Sequence, residues 1–129
     1  MPSRPLSPHL SVYKFKYTLL SSILNRFTGV ALSVGLIALT YWLLSIAASA
    51  RAQAQAQALL GTPLLKLFLA AMVISFCYHL VAGIRHLVWD TGRGLERATS
   101  QRSAWAVGVV SILLMLLIGY WLWHGGHAP

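Results

Sequence analysis

The sequence contains very few charged residues, and almost none of them are acidic. Charged residues make up 9% of the 129, and Asp90 and Glu96 are the two acids set against ten lysines and arginines. Ordinary soluble domains contain roughly 25% charged residues. With 57% hydrophobic residues, a soluble fold of this size could not hide its apolar surface from water. The composition therefore indicates an integral membrane protein.

The cysteine count and the position of the basic residues argue against two further classes of protein, those with intrachain disulfides and those that bind nucleic acid. Cys77 is the single cysteine, so no intrachain disulfide can form. The formal net charge of +8 would suit nucleic acid, but the basic residues stand at the ends of apolar runs rather than in a solvated patch. That placement is typical of membrane proteins with basic cytoplasmic loops. We therefore expect membrane lipid as a partner and no nucleic acid.

Three apolar runs predict an all-α fold with three transmembrane helices. They cover residues 27–50, 64–89 and 104–123, and each provides the roughly 20 helical residues that span a hydrocarbon core. We expect one membrane-anchor domain over residues 1–129, with 1–26 as a cytoplasmic segment.

The two connections between the runs differ in composition. Residues 51–62 contain an Ala-Gln repeat, and because both residue types favour helix, they predict a helical extension closed by a Gly-Thr-Pro turn. Residues 91–103 are polar, with two glycines and three arginines, and predict a hairpin connection.

The distribution of basic residues predicts the orientation. Eight lie in segment 1–26 or at and after the end of the second helix, and two lie near the first connection. Because lysine and arginine are enriched in cytoplasmic loops, this predicts that the N-terminus faces the cytoplasm and the C-terminus the other side. The eight are Arg4, Lys14, Lys16, Arg26, Arg85, Arg93, Arg97 and Arg102, and the two are Arg51 and Lys66.

The second run carries the most informative polar residues. His79 precedes His86 by seven positions, which at 100° per residue puts both on one helix face about 10 Å apart. Gly83 lies between them on that face, where it would let a flat group or another helix approach closely. A histidine beside such a gap suits a haem, whose iron takes an axial imidazole nitrogen. The alternative is a glycine that packs a helix and histidines that only make hydrogen bonds.

A second axial ligand for such a haem is hard to find in this chain. His79 and His86 project the same way, so they cannot bind one iron from opposite sides. The other histidines, His9, His124 and His127, lie outside the apolar runs. A second ligand would therefore come from another chain.

A polar group precedes the first apolar run. Ser22 and Arg26 are four residues apart, hence on one helical face, at the predicted cytoplasmic level. A hydroxyl with a guanidinium could bind a carbonyl-bearing, lipid-soluble ligand such as a quinone, or the propionates of a haem. Alternatively, Ser22 caps the helix and Arg26 extends to the interface.

Three blocks together resemble the cytochrome b subunits of succinate dehydrogenase, the larger hydrophobic anchor of respiratory complex II. The blocks are residues 4–13, residues 22–29 (Ser-Ile-Leu-Asn-Arg-Phe-Thr-Gly), and residues 79–90, of the form H-x3-G-I-R-H-L-x-W-D. Their order, spacing and three-helix plan cover nearly the whole chain. The third block is the most specific.

The resemblance implies a role for each matching residue. It implies that His79 is an axial ligand of haem b, whose other ligand belongs to the smaller anchor subunit. It implies that Ser22 and Arg26 line the ubiquinone site, with Arg26 near the haem propionates. One position departs from the family, because Asn25 stands where a histidine is common, and an asparagine cannot offer a cationic contact to a propionate.

The resemblance also implies partners, a location and a division of labour. A flavoprotein would oxidise succinate, an iron–sulfur subunit would pass the electrons on, and this chain would serve as a non-catalytic anchor in a bacterial inner membrane. A mitochondrial location is less favoured. The alternatives are a haem-free anchor of a related fumarate reductase and a small transporter subunit. Transport is disfavoured because no ionisable residue lies at mid-membrane and no inverted repeat is visible.

Overall fold

The structure, a computed structural model, describes residues 17–125. It contains four helices: α1 Tyr17–Ala48, α2 Ala50–Leu60, α3 Pro63–Asp90 and α4 Arg97–Gly125. Helices α1, α3 and α4 are long and apolar enough to cross a membrane. The predicted all-α fold with three spanning helices is confirmed, whereas the orientation remains a prediction. The block at residues 4–13, the basic residues before Tyr17, His9 and His127 lie outside the described residues.

Two of the spanning helices begin earlier than the apolar runs. α1 begins at Tyr17 rather than at residue 27, and α4 begins at Arg97 rather than at residue 104. Apolarity marks the part of a helix that lies in hydrocarbon, whereas the hydrogen bonds of the helix can continue into the interfacial layer. The predicted segment 1–26 is therefore helical from Tyr17 onward, and the polar groups of both extensions lie on helices.

The connection between α1 and α3 is a separate helix rather than an extension of α1. Ser49 has an extended backbone (φ −172°) that interrupts the helix, and its hydroxyl accepts a hydrogen bond from the Ala52 amide at 3.1 Å. Serine is favoured at such an N-cap. Gly61 caps the end of α2, and Thr62 with Pro63 opens α3. The predicted helix and its closing turn are confirmed, but the continuity with α1 was wrong.

The connection between α3 and α4 is shorter than the polar segment suggested. Gly92 and Gly94 both adopt positive φ, 76° and 74°, a backbone region that glycine enters without steric cost. The Trp89 indole donates a hydrogen bond to the Gly94 carbonyl at 3.2 Å. The hairpin is confirmed, with residues 91–96 between the helices.

Helices α1 and α3 pack antiparallel, and this register positions the candidate residues. Ser21 contacts Arg85, Asn25 contacts His79, and Gly35 faces Met72, so numbers rise along α1 as they fall along α3. The small core joins Tyr78 and Ala82 of α3 to Val107 of α4. Most large apolar side chains on the spans are exposed, as expected where lipid or partner helices cover them.

Candidate functional site

His79 is held against α1 by one of its two ring nitrogens. Its Nδ1 lies 3.1 Å from the Asn25 carbonyl oxygen and 3.3 Å from the Thr28 hydroxyl. Since a carbonyl oxygen can only accept a hydrogen bond, Nδ1 carries a ring proton, and the neutral form of this half-buried ring then has its lone pair on Nε2. A neutral imidazole with that tautomer can bind a metal through Nε2.

Two glycines leave space around His79. A Cβ built on Gly29 would lie 3.1 Å from the His79 Cε1, so a larger residue there would push the ring away from α1. A Cβ on Gly83 would meet nothing within 4 Å among the described residues. Gly29 thus lets the ring lie close to α1, while Gly83 borders open space on the face predicted for a flat group.

His86 has a different environment. Its ring packs edge-on against Trp89, with 5.3 Å between ring centroids and an interplanar angle of 85°. The structure thus gives the two histidines of α3 different partners. His79 is anchored to a neighbouring helix, and His86 contacts a ring of its own helix.

Ser22 and Arg26 both lie inside α1. Four residues apart in a continuous helix, they share a face as predicted. Ser22 is half-buried and Arg26 is exposed. The alternative that Ser22 caps the helix was wrong, because α1 begins at Tyr17 and Ser22 lies beyond its first turn.

A polar cluster that the sequence did not predict lies beside Ser22. We call it the arginine cluster, and its members are Ser21, Tyr78, Arg85, Ser100 and Ser103. The Arg85 guanidinium donates to the Ser103 hydroxyl at 2.9 Å, to the Ser21 hydroxyl at 3.3 Å and to the Ser100 carbonyl at 2.9 Å. The Tyr78 hydroxyl lies 3.2 Å from the Ser21 hydroxyl. One side chain of α3 thereby joins α1 and α4.

The burial of Arg85 is a feature that the count of basic residues did not predict. Arg85 is 7% exposed, and its guanidinium carbon lies 3.9 Å from the centroid of the Trp89 ring. Arginine tolerates burial when its donors are satisfied and an aromatic face lies beside it. The seven-residue spacing that grouped His79 with His86 also separates Tyr78 from Arg85. Applied to that pair, it would have placed Tyr78 and Arg85 on one face of α3 without identifying their partners.

The side-chain oxygen of Asn25, at the position where the sequence resemblance leads us to expect a histidine, is unsatisfied within the part of the chain that the structure describes. This Oδ1 is buried without a hydrogen-bond partner among residues 17–125, while the Asn25 backbone carbonyl accepts from His79. A buried acceptor without a donor costs about 1–3 kcal/mol. It is therefore a place where a donor from a ligand or partner chain would stabilise the assembly.

Comparisons with known proteins decide the family. The family model described as succinate dehydrogenase/fumarate reductase transmembrane subunit matches residues 1–118. The chain is 38% identical over 115 residues to the succinate dehydrogenase cytochrome b556 subunit of Paracoccus denitrificans, covering 89% of this chain and 88% of the relative. The chain belongs to this family of transmembrane subunits.

Relatives from other sources agree with this membership. The cytochrome b556 subunit of Rickettsia prowazekii is 40% identical over 115 residues, covering 89% of this chain and 90% of the relative. The mitochondrial cytochrome b560 subunit of Bos taurus is 37% identical over 113 residues, covering 86% of this chain and 67% of the relative. The resemblance drawn from the three sequence blocks is confirmed, and bacterial relatives together with three apolar helices agree with a bacterial inner membrane.

Proposed function

We propose that this chain is the haem b-binding anchor of a succinate dehydrogenase and contributes to its ubiquinone-reduction site. The observation that carries the haem assignment is the hydrogen bond between His79 Nδ1 and the Asn25 carbonyl oxygen. Histidines that ligate metals usually donate their second ring N–H to a carbonyl or carboxylate, which fixes the tautomer. The Asn25 carbonyl gives His79 an acceptor of this kind.

The surroundings of His79 fit a planar group with carboxylates. The ring is half-buried with its Nε2 lone pair unused by the Asn25 bond, and Gly83 borders open space on the same helix. Arg26, the residue after Asn25 on α1, would hold a propionate through charge-assisted hydrogen bonds. The haem would supply a one-electron store, and its second axial ligand would come from the smaller anchor subunit.

Ser22 and Arg26 would bind the quinone head group. When a quinone carbonyl is reduced, its oxygen gains negative charge, and a hydroxyl donor with a nearby cation stabilises that charge more than the neutral ground state. Ser22 is half-buried, and the exposed Arg26 lies on the same face of α1 one turn later. A ligand that approaches this face would contact both side chains. The remaining contacts would come from the iron–sulfur subunit and the smaller anchor.

The proposal places the chemistry on succinate outside this chain. A flavoprotein partner would oxidise succinate and an iron–sulfur partner would carry the electrons to quinone. With the N-terminus in the cytoplasm, the beginning of α1 and the end of α3 would face those partners. This chain would then anchor the assembly and complete the pocket in which the electrons leave.

Turnover of variant complexes tests the quinone pocket. Ser22→Ala and Arg26→Leu should each slow succinate-to-quinone turnover by roughly ten- to a hundredfold, since a hydrogen bond to a charged group contributes about 1.5–3 kcal/mol. Succinate oxidation by an artificial dye that accepts electrons upstream should be preserved. The measurement is the ratio of quinone to dye activity in purified complexes.

Ser33 and Thr40 provide matched controls on the same helix. Their hydroxyls bond carbonyls within α1, Gly29 at 3.0 Å and Leu36 at 2.8 Å, so Ser33→Ala and Thr40→Val should leave the ratio unchanged. If the Ser22 and Arg26 variants lose dye and quinone activity in parallel, they act on assembly and the proposed pocket is wrong.

A further inference from the structure

The hydroxyl of Thr28 has a hydrogen-bond arrangement whose directions can be assigned. Its Oγ1 lies 2.8 Å from the Leu24 carbonyl oxygen, 3.0 Å from the Asn25 carbonyl oxygen and 3.3 Å from His79 Nδ1. A hydroxyl has one proton and two lone pairs, and carbonyl oxygens can only accept. The Thr28 proton is therefore directed to a carbonyl of its own helix, and a lone pair remains for the proton on Nδ1.

This arrangement gives the His79 N–H two acceptors on α1. The Asn25 carbonyl takes it at 3.1 Å and the Thr28 hydroxyl at 3.3 Å. Gly29, the residue after Thr28, has no side chain and so lets the edge of the His79 ring approach α1. A Cβ at Gly29 would lie 3.1 Å from His79 Cε1. Three residues within about one turn of α1 thus fix one imidazole.

We propose that Thr28 is a positioning residue. It orients His79 and lowers the reduction potential of the haem that His79 would bind. The inference rests on the proposed function, in which His79 is an axial ligand through Nε2. Hydrogen bonds accepted from Nδ1–H make the imidazole a stronger electron donor through its other nitrogen. Stronger donation favours the oxidised iron, so the Thr28 contact holds the potential down.

His124 shows why the arrangement at His79 is more than an incidental histidine contact. The His124 Nδ1 lies 3.1 Å from the Tyr120 carbonyl oxygen, four residues earlier in its own helix. Such a bond follows from helix geometry and needs no other element. At His79 the acceptors come from α1, 54 and 51 residues away in the chain, so the ring's orientation depends on the packing of two spanning helices.

Redox titration of the purified complex tests this role. Thr28→Val removes the hydroxyl at nearly constant shape and should shift the oxidised-to-reduced equilibrium of the haem by roughly tenfold toward the reduced form. For a one-electron couple this is a rise of ~59 mV in midpoint potential. Thr28→Ser keeps the hydroxyl and should restore most of the original potential. If the valine variant does not accumulate, Thr28→Ala removes the same hydroxyl with a smaller side chain.

Thr40→Val is the matched control. Thr40 lies on the exposed side of α1, and its hydroxyl bonds the Leu36 carbonyl as Thr28 bonds Leu24, so the same change there should leave the potential unaltered. A wild-type complex without a haem band would overturn the proposed function itself. A haem band whose potential is the same in wild type, Thr28→Val and Thr28→Ala would overturn this inference alone. An equal shift in the serine and valine variants would also overturn it, because the hydroxyl would then have no part.

Discussion

The two ends of the helix bundle are built on different principles. At the end where α1 begins, α3 finishes and α4 begins, the helices are joined by directed polar contacts. These include the arginine cluster, the His79 contacts with α1 and a stack of Tyr17 on Trp105 with centroids 4.5 Å apart. We call this the polar end. Here the side chains have fixed partners and fixed orientations.

The opposite, apolar end contains a wide recess instead. Between the four helices lies a cavity of about 780 Å³, lined mostly by apolar side chains that include Leu39, Trp42 and Phe76. Contacts there are van der Waals contacts, which are individually weak and carry little directional information. The flexible Met72 side chain fills the space beside Gly35.

The comparison shows where orientation matters in this molecule. A haem ligand and a quinone donor must hold their atoms within tenths of an ångström, and directed hydrogen bonds between helices do this better than apolar packing. The proposed functional residues His79 and Ser22 both lie at the polar end, within one or two turns of the arginine cluster. The apolar end can instead adapt to lipid or to a partner helix.

The largest expected difference between the two ends is in stability, and loss of Arg85 tests it. Arg85→Met should lower the stability of the purified complex by about 2–4 kcal/mol, because several hydrogen bonds to a charged group are lost and buried hydroxyls are left without donors. Thermal unfolding of the complex in detergent measures this. Lys66→Met removes a cation near the start of α3, where the side chain is exposed, and should change stability by less than about 0.5 kcal/mol. Equal effects of the two variants would contradict the contrast between the ends.

A smaller, sharper effect should distinguish two glycines of α1. Gly29→Ala and Gly35→Ala each add one methyl group to α1, and each should stabilise the helix by the same ~1 kcal/mol through helix propensity. At Gly29 the new methyl meets the His79 ring at 3.1 Å, whereas at Gly35 it meets the movable end of Met72. Gly29→Ala should therefore alter the position or intensity of the haem α-band, and Gly35→Ala should leave it unchanged. If the spectrum changed in the Gly35 variant and not in the Gly29 variant, the proposed contrast between the polar end and the apolar end would be wrong.

The sequence predicted the spans better than it predicted the contacts around the candidate residues, whose roles stay predictions. Long apolar runs determined the three spanning helices, because bilayer thickness sets their length. The helix starts at Tyr17 and Arg97 were missed, since polar residues of an interfacial turn look like a connection. The burial of Arg85 was missed because its partners Ser21, Ser100 and Ser103 come from two other helices, and single-sequence periodicity carries no information on which helices meet.

The same limit applies to His79. Its spacing from Gly83 and His86 fitted either a haem ligand or a histidine that only makes hydrogen bonds. The choice of tautomer depends on Asn25 and Thr28, which α1 brings from more than fifty residues away. Only the antiparallel register of α1 and α3 shows that Nδ1 is the hydrogen-bonded nitrogen, which makes Nε2 the nitrogen for the proposed iron.

The central claim is that His79, rather than His86, binds the haem, and optical spectra of two variants test it most directly. His79→Ala should abolish or strongly weaken the reduced-minus-oxidised b-type spectrum of the purified complex, because it removes the proposed iron ligand. His86→Ala should leave that spectrum largely intact, because the His86 ring packs on Trp89. A spectrum that survives the loss of His79 and disappears with the loss of His86 would contradict the account.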